Sequence, residues 1–227
     1  MSGRRRAWAG PALLAAAVLT GCSTVIGGTA TWPGAELEKA VLKAGDFPPG
    51  VDYGRIVEQP GQRDNAGGPS PMLSKPEGCS NGLTDVIAAT AVRGPGSAAK
   101  YSVGYDGARI VMTVLSWNLD LDRLAATASR CEHFDAYFDP DSQGIPISTT
   151  KLASDRPGEL VYQQSLNLNG SQDSVFMAFE NVDGMGLFGI AFAAKHFVTG
   201  QVSAPKAVLP QTFLDVVNKQ VDRVQAG

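Results

Sequence analysis

The sequence contains little of the chemistry on which most enzymes and metalloproteins depend. Its 227 residues include two histidines and three cysteines. Neither His133 nor His196 has a second histidine or cysteine at metal-ligand spacing, and there is no Gly-x-Ser-x-Gly nucleophile elbow. We therefore predict no catalytic residue, no metal site and no cofactor.

Basic residues are also scarce once the N-terminus is set aside. Without Arg4, Arg5 and Arg6, the chain has 16 basic residues against 22 acidic ones, a net charge of −6. Neutralisation of phosphates by basic side chains supplies most of the affinity of nucleic-acid-binding proteins. Nucleic acid is therefore not an expected partner.

The apolar run from Ala7 to Leu19 is shorter than the roughly 20 residues that a membrane-spanning helix needs. It follows the three arginines and ends in Leu19-Thr20-Gly21-Cys22, a sequence typical of a bacterial lipoprotein cleavage box. This order predicts a signal peptide over residues 1–21, with Cys22 as the first mature residue and the carrier of acyl chains such as palmitate. An ordinary secreted protein cleaved elsewhere is the alternative.

Lipidation at Cys22 implies that the protein is located in the cell envelope and that the membrane is its first partner. We expect the acyl chains to hold the mature protein on the cell membrane, in the extracytoplasmic cell envelope. Because that compartment is oxidising, the two remaining cysteines, Cys79 and Cys131, are expected to form a disulfide. Two unconnected buried thiols are the alternative.

The chain after Cys22 is predicted to be a short tether followed by one domain. Residues 22–34 are mostly small and polar and show no periodicity, which indicates a flexible tether. Residues 35–227 are predicted to form a single globular domain. Within it, Gln59 to Pro76 carries four prolines and three glycines, and we expect an exposed loop there.

Strand and turn signals predict an α+β fold. Tyr101–Tyr105 and Ala108–Trp117 flank Asp106-Gly107, a strong hairpin signal. From Ile145 onward, turn residues separate four strand-like runs, which predicts an antiparallel meander. The turn signals are Arg156–Gly158, Asn169-Gly170 and Asp183-Gly184.

We expect one twisted antiparallel sheet of about six or seven strands with helices packed on it. The strand that starts at Ala108 is apolar on both faces, so it should be central and covered on each side. Helical spacing of apolar residues predicts four helices. They lie around Leu37–Ala44, Leu83–Thr90, Leu121–Cys131 and Phe213–Val224, with Pro210 at the start of the last.

The run from Gly184 to Gly189 matches the dinucleotide-binding fingerprint in its letters but not in its context. A binding fingerprint follows a strand and opens a helix, whereas here a hairpin turn leads into a strand. One face of that strand carries Leu187, Gly189 and Ala191. Because Gly189 and Ala191 are small, a helix or a ligand could approach this face of the sheet closely. We expect either a packed helix or a shallow apolar groove for an envelope ligand, with Trp117 and Tyr162 as further candidate lining residues.

Four features of the sequence occur in combination: the lipoprotein box, Gly45–Gly50, the cysteine pair around the Tyr-Asp-Gly hairpin, and Leu209–Phe213. Together they resemble mycobacterial envelope lipoproteins, which are grouped with domains similar to the extracellular sensor domain of the Ser/Thr kinase PknH. The resemblance implies a ligand-sensing or scaffold role in the cell envelope and supplies no catalytic residue.

The leading expectation is a lipid-anchored binding or sensor-like module, not an enzyme, that recognises an apolar envelope ligand or a protein partner. One alternative is a hydrolase or transferase that acts on cell wall or lipid through dispersed carboxylates. Another is a surface scaffold or interaction protein that uses the Gln59–Pro76 loop.

Overall fold

The structure is a computed structural model that describes residues 33–57, 72–90, 94, 96–105, 107–168, 171–193, 197–198, 201–202 and 210–227. The predicted leader, Cys22 and most of the tether lie outside these residues. Asp106, Asn169, Gly170 and His196 do as well.

The described ranges contain four α-helices: α1 Pro33–Ala40, α2 Gly82–Thr90, α3 Leu121–Arg130 and α4 Pro210–Gln225. Helix α3 begins at Leu121, as the apolar spacing predicted, and the Asp120 side chain caps it by accepting a hydrogen bond of 2.9 Å from the Arg123 N–H. Helix α1 begins two residues before the predicted domain start at residue 35. It ends at Ala40, and Ala44–Asp46 forms a separate 3-10 turn.

The strands within the described residues number eleven. They are β1 Asp52–Ile56, β2 Leu73–Lys75, β3 Ala98–Tyr105, β4 Ala108–Leu115, β5 His133–Tyr137, β6 Ile145–Leu152, β7 Leu160–Leu168, β8 Ser171–Val182, β9 Met185–Ala193, β10 Phe197–Val198 and β11 Gln201–Val202.

In the described part of the chain, nine of these strands form one antiparallel sheet in the order β1-β3-β4-β9-β8-β7-β6-β5-β2, and β10 pairs only with β11. The α+β class, the β3–β4 hairpin and the β6–β9 meander are confirmed. The predicted number of six or seven strands is wrong, since β5 and β2 were not expected. Strand β2 also corrects the predicted loop Gln59–Pro76, because Leu73–Lys75 belongs to the sheet, while residues 59–71 lie outside the described residues.

The turn between β8 and β9 shows why the sequence specified this meander. Asp183 and Gly184 both have positive φ, 48° and 81°. Two consecutive positive φ values are what a two-residue hairpin turn of the favoured type requires, and Asp-Gly adopts them readily.

Helices cover the sheet on both faces, as the two-sided apolar strand β4 predicted. On one face, called here the α1/α4 face, helices α1 and α4 pack over Ile110, Met112 and Val114. On the opposite α2/α3 face, helices α2 and α3 pack over residues that include Leu115 and Phe179.

The glycines of the dinucleotide-like run act in packing. A Cβ at Gly189 would lie 2.8 Å from Met112 Sδ and 3.1 Å from the Phe213 ring of α4. A Cβ at Gly186 would lie 2.6 Å from the carbonyl oxygen of Trp117. Because side chains rarely tolerate such distances, these two positions allow the close approach of a helix and of a neighbouring chain segment.

Helix α4 also holds α1 through one buried polar side chain. Gln220 is fully buried, and its Nε2 donates to the Ala40 carbonyl at 2.7 Å while its Oε1 accepts from the Leu42 N–H at 3.2 Å. These bonds satisfy backbone groups at the end of α1 that the helix itself leaves unpaired. The sequence showed the apolar face of α4 but not this interaction.

We predict that Gly189→Ala lowers the free energy of unfolding by about 1–3 kcal/mol, since the added methyl group overpacks the contact with Phe213. Gly45→Ala is the matched control, because a Cβ there has nothing within 4 Å. Urea denaturation of both variants measures the difference. An equal stability of the two would contradict the close-packing account.

Candidate functional site

The predicted disulfide is present. Cys79 and Cys131 are bonded with their Cα atoms 5.4 Å apart, and both side chains are buried. Cys79 lies in the turn between β2 and α2, and Cys131 directly follows α3. The bond therefore joins the edge of the sheet to a helix that is 52 residues away in sequence.

Ser74 fixes the turn that carries Cys79. This serine is buried on edge strand β2, and its Oγ donates to the Pro76 carbonyl at 2.9 Å. The same Oγ accepts from the N–H groups of Cys79, at 2.9 Å, and Ser80, at 3.2 Å. Since one hydroxyl binds three backbone groups, the turn is held in a single conformation.

Arg130 holds the same turn from the end of α3. Its Nη1 donates to the Glu77 carbonyl at 3.1 Å and lies 3.7 Å from Cys79 Sγ. Together with the disulfide and Ser74, this bond makes residues 76–80 a rigid wall.

A cavity of about 550 Å³ lies beside this turn, between β2, the start of α2 and the segment after β5. Its apolar lining comes from Met72, Leu73, Tyr137 and Pro140. Its polar lining includes Lys75, Glu77, Asn81 and Asp85. The volume falls within the range of small-molecule binding sites.

Two neighbours fix the Tyr137 ring in the cavity wall. The Lys75 ammonium lies 5.3 Å from the ring centroid, within cation–π distance. A Cβ at Gly144 would lie 2.9 Å from carbon atoms of the ring. The absence of a side chain at residue 144 therefore leaves room for the ring in this position.

The structure divides the five sequence-predicted ligand residues between the two faces of the sheet. Leu187, Gly189 and Ala191 lie on the α1/α4 face, where Phe213 of α4 packs against Gly189. Trp117 and Tyr162 belong to the cluster on the α2/α3 face. The small residues of β9 thus accommodate a packed helix, which was one of the two alternatives.

None of these five residues lines the cavity beside the disulfide. Trp117 is half-buried, and among the described residues its Nε1 is a buried donor with no partner. Tyr162 is buried, and burial raises the pKa of its hydroxyl. Most residues that form the cavity lie in the predicted loop Gln59–Pro76 or in segments with no predicted element, whereas Asp85 lies in the predicted helix around Leu83–Thr90.

Two buried carboxylates do occur together, as the enzyme alternative would require. Arg156 Nε donates to Glu180 Oε2 at 2.9 Å, and its Nη2 donates to Glu159 Oε1 at 2.6 Å. Ser154 Oγ also donates to Glu159. Burial raises the pKa of Glu159, and the Arg156 guanidinium opposes this shift. Since one guanidinium engages both carboxylates, we interpret the group as a structural ion cluster.

The described residues contain no group of three or more His, Cys, Asp or Glu side chains placed to hold a metal ion. Among the helices in the same residues, none is long and apolar enough to cross a membrane.

Comparisons with known proteins find similarity in structure only. No protein-family model matches the chain. No curated protein matches it either. The extracellular domain of PknH from Mycobacterium tuberculosis is similar in structure, with a TM-score of 0.48 and 10% sequence identity over 84% of this chain and 95% of that one.

An uncharacterised Rv0999 ortholog from Mycobacterium smegmatis is similar with a TM-score of 0.45 and 11% identity, over 85% of this chain and 95% of that one. One of these two structures is the extracellular domain of the kinase whose sensor domain the sequence resembles.

We predict that the double variant Cys79→Ala/Cys131→Ala lowers the free energy of unfolding by about 4 kcal/mol, the chain-entropy value for a loop of this length. Denaturation of the wild type in the presence of a reductant should match the variant. A loss below about 1 kcal/mol, or free thiols at both positions in exported wild-type protein, would show that the bond does not hold the fold.

Proposed function

We propose that the protein is a lipid-anchored, extracytoplasmic binding module and that the cavity beside the Cys79–Cys131 disulfide takes its ligand. The observation that carries this proposal is a cavity of about 550 Å³ whose wall is fixed by a disulfide, a buried serine and an arginine. A wall held in this way loses little conformational entropy when a ligand binds.

The chemistry of the lining supports binding. Apolar side chains supply contact area, and a few polar groups supply orientation, which is the usual composition of a small-molecule site. The buried disulfide fits an oxidising compartment. The lipoprotein box at Cys22 gives the means of attachment.

The first prediction from this proposal concerns the anchor. We expect Cys22→Ala to move the protein from the membrane fraction to the soluble fraction, because no residue is then available for acylation. Ser23→Ala is the matched control and should remain with the membrane. Immunodetection after fractionation measures the outcome, and an unchanged membrane fraction for Cys22→Ala would contradict the anchor.

The second prediction concerns the cavity. Leu73 lines it and is 49% exposed, so Leu73→Trp should obstruct part of the cavity without disturbing the core. Val57, 78% exposed just beyond the opposite edge strand β1, gives the control Val57→Trp. Native mass spectrometry of protein purified from its own envelope should detect a bound molecule on the wild type and the control, and its loss from Leu73→Trp.

Two results would contradict the cavity as the binding site. One is a wild type that carries no bound molecule. The other is a Leu73→Trp variant that retains the molecule as fully as Val57→Trp does.

A further inference from the structure

The hydrogen bonds around the cavity show which of its polar groups are already used. Ser74 Oγ binds three backbone groups of the turn. Ser80 Oγ donates to the Met72 carbonyl. The Lys75 ammonium lies over the Tyr137 ring. These groups build the wall of the cavity.

Three polar side chains of the lining are not used in building the wall: the carboxylates of Glu77 and Asp85 and the amide of Asn81. Within the part of the chain that the structure describes, these three side chains have no hydrogen bond or ion pair, although all three line the cavity. Two of the three carry negative charge. A positively charged hydrogen-bond donor is therefore the ligand group that best complements these side chains.

Both carboxylates are exposed and stand on backbone that is fixed by hydrogen bonds. The Glu77 carbonyl accepts from Arg130 at 3.1 Å, which fixes the turn on which the side chain stands. The Asp85 N–H donates to the Asn81 carbonyl at 2.9 Å in the first turn of α2, where the helix dipole favours a negative charge. The backbone that carries both acceptors is therefore ordered before a ligand arrives.

The rest of the wall is apolar. Met72, Leu73, Tyr137 and Pro140 line the cavity, and Phe138, next to Tyr137 in the chain, is 73% exposed. A ligand that satisfies the carboxylates must also cover this surface. An ion without an apolar body would leave it in water.

We infer that the cavity binds an organic cation of the alkylammonium class, whose charged head meets Glu77 and Asp85 and whose chain covers Met72, Leu73 and Pro140. This inference rests on the proposed function, because it names the ligand class of the same cavity. An anionic ligand is disfavoured, since the described lining residues include two carboxylates, Glu77 and Asp85, and one basic side chain, Lys75.

The test compares three probes with the same apolar body: n-hexylammonium chloride, hexanol and sodium hexanoate. NMR titration of the folded protein at low ionic strength measures each dissociation constant and maps the shifted amides. Hexylammonium should shift amides in residues 72–85 and 137–140 and bind about tenfold more tightly than hexanol, the value of one charge-assisted hydrogen bond. Hexanoate should bind more weakly than hexanol.

Two variants test the charged groups. Glu77→Gln/Asp85→Asn should lose about tenfold in hexylammonium affinity and leave hexanol binding unchanged. Asp122→Asn/Glu132→Gln changes the net charge equally at two exposed positions outside the cavity and should retain wild-type affinity. Lys75→Met should strengthen hexylammonium binding, because it removes a like charge from the cavity.

The inferred ligand class is overturned if hexylammonium binds no more tightly than hexanol, if hexanoate binds best, or if the two double variants behave alike. In these cases the proposed function still stands, provided that the molecule from the envelope is lost in Leu73→Trp. If Leu73→Trp retains that molecule, the cavity is not the binding site, and the proposed function fails independently of the probes.

Discussion

The turn after β2 and the end of α3 lie 52 residues apart in sequence, and the Cys79–Cys131 bond holds them together. The bond follows edge strand β2 in the chain, and among the described residues this strand pairs with one neighbour, β5, over three residues. Without the bond, the turn would depend on the hydrogen bonds of Ser74, Ser80 and Arg130. The candidate site is therefore built where the sheet itself contributes least.

The centre of the sheet, around β4 and β9, is stabilised by much more extensive pairing and packing than the edge at β2. Strands β4 and β9 are paired over eight residues and covered by helices, and α4 approaches β9 closely because residue 189 has no side chain. Gln220 then ties α1 to α4 through two backbone groups. This region is a packed core, which explains why small residues on β9 do not mark a binding groove.

Local signals predicted much of this fold. The apolar stripe of α4, the two-sided β4 and the Asp183-Gly184 turn are each specified by neighbouring residues, so a single sequence reveals them. Strand β5 also alternates, with Phe134 and Ala136 buried, but at five residues its signal is weak.

Strand β2 could not be predicted, because it inverts the expected pattern. Its serine is buried and its leucine is half-exposed. The reason is physical: Ser74 Oγ is needed inside to bind the turn, and Leu73 faces the cavity. A pattern of this kind depends on contacts with residues that follow later in the chain. The cavity could not be predicted either, because its lining also comes from residues that are distant in sequence. Cys79, whose disulfide fixes the adjoining turn, was predicted.

Hydrogen–deuterium exchange tests the central claim most directly. Protein purified from its own envelope would be compared with the same protein after its bound molecules have been removed by unfolding and refolding. If the cavity holds the ligand, its removal raises exchange in residues 72–85 and 137–140 and leaves exchange in β4 and β9 unchanged. Equal exchange in those two segments, or a change confined to the β9 face beneath α4, would contradict a ligand site built on the disulfide.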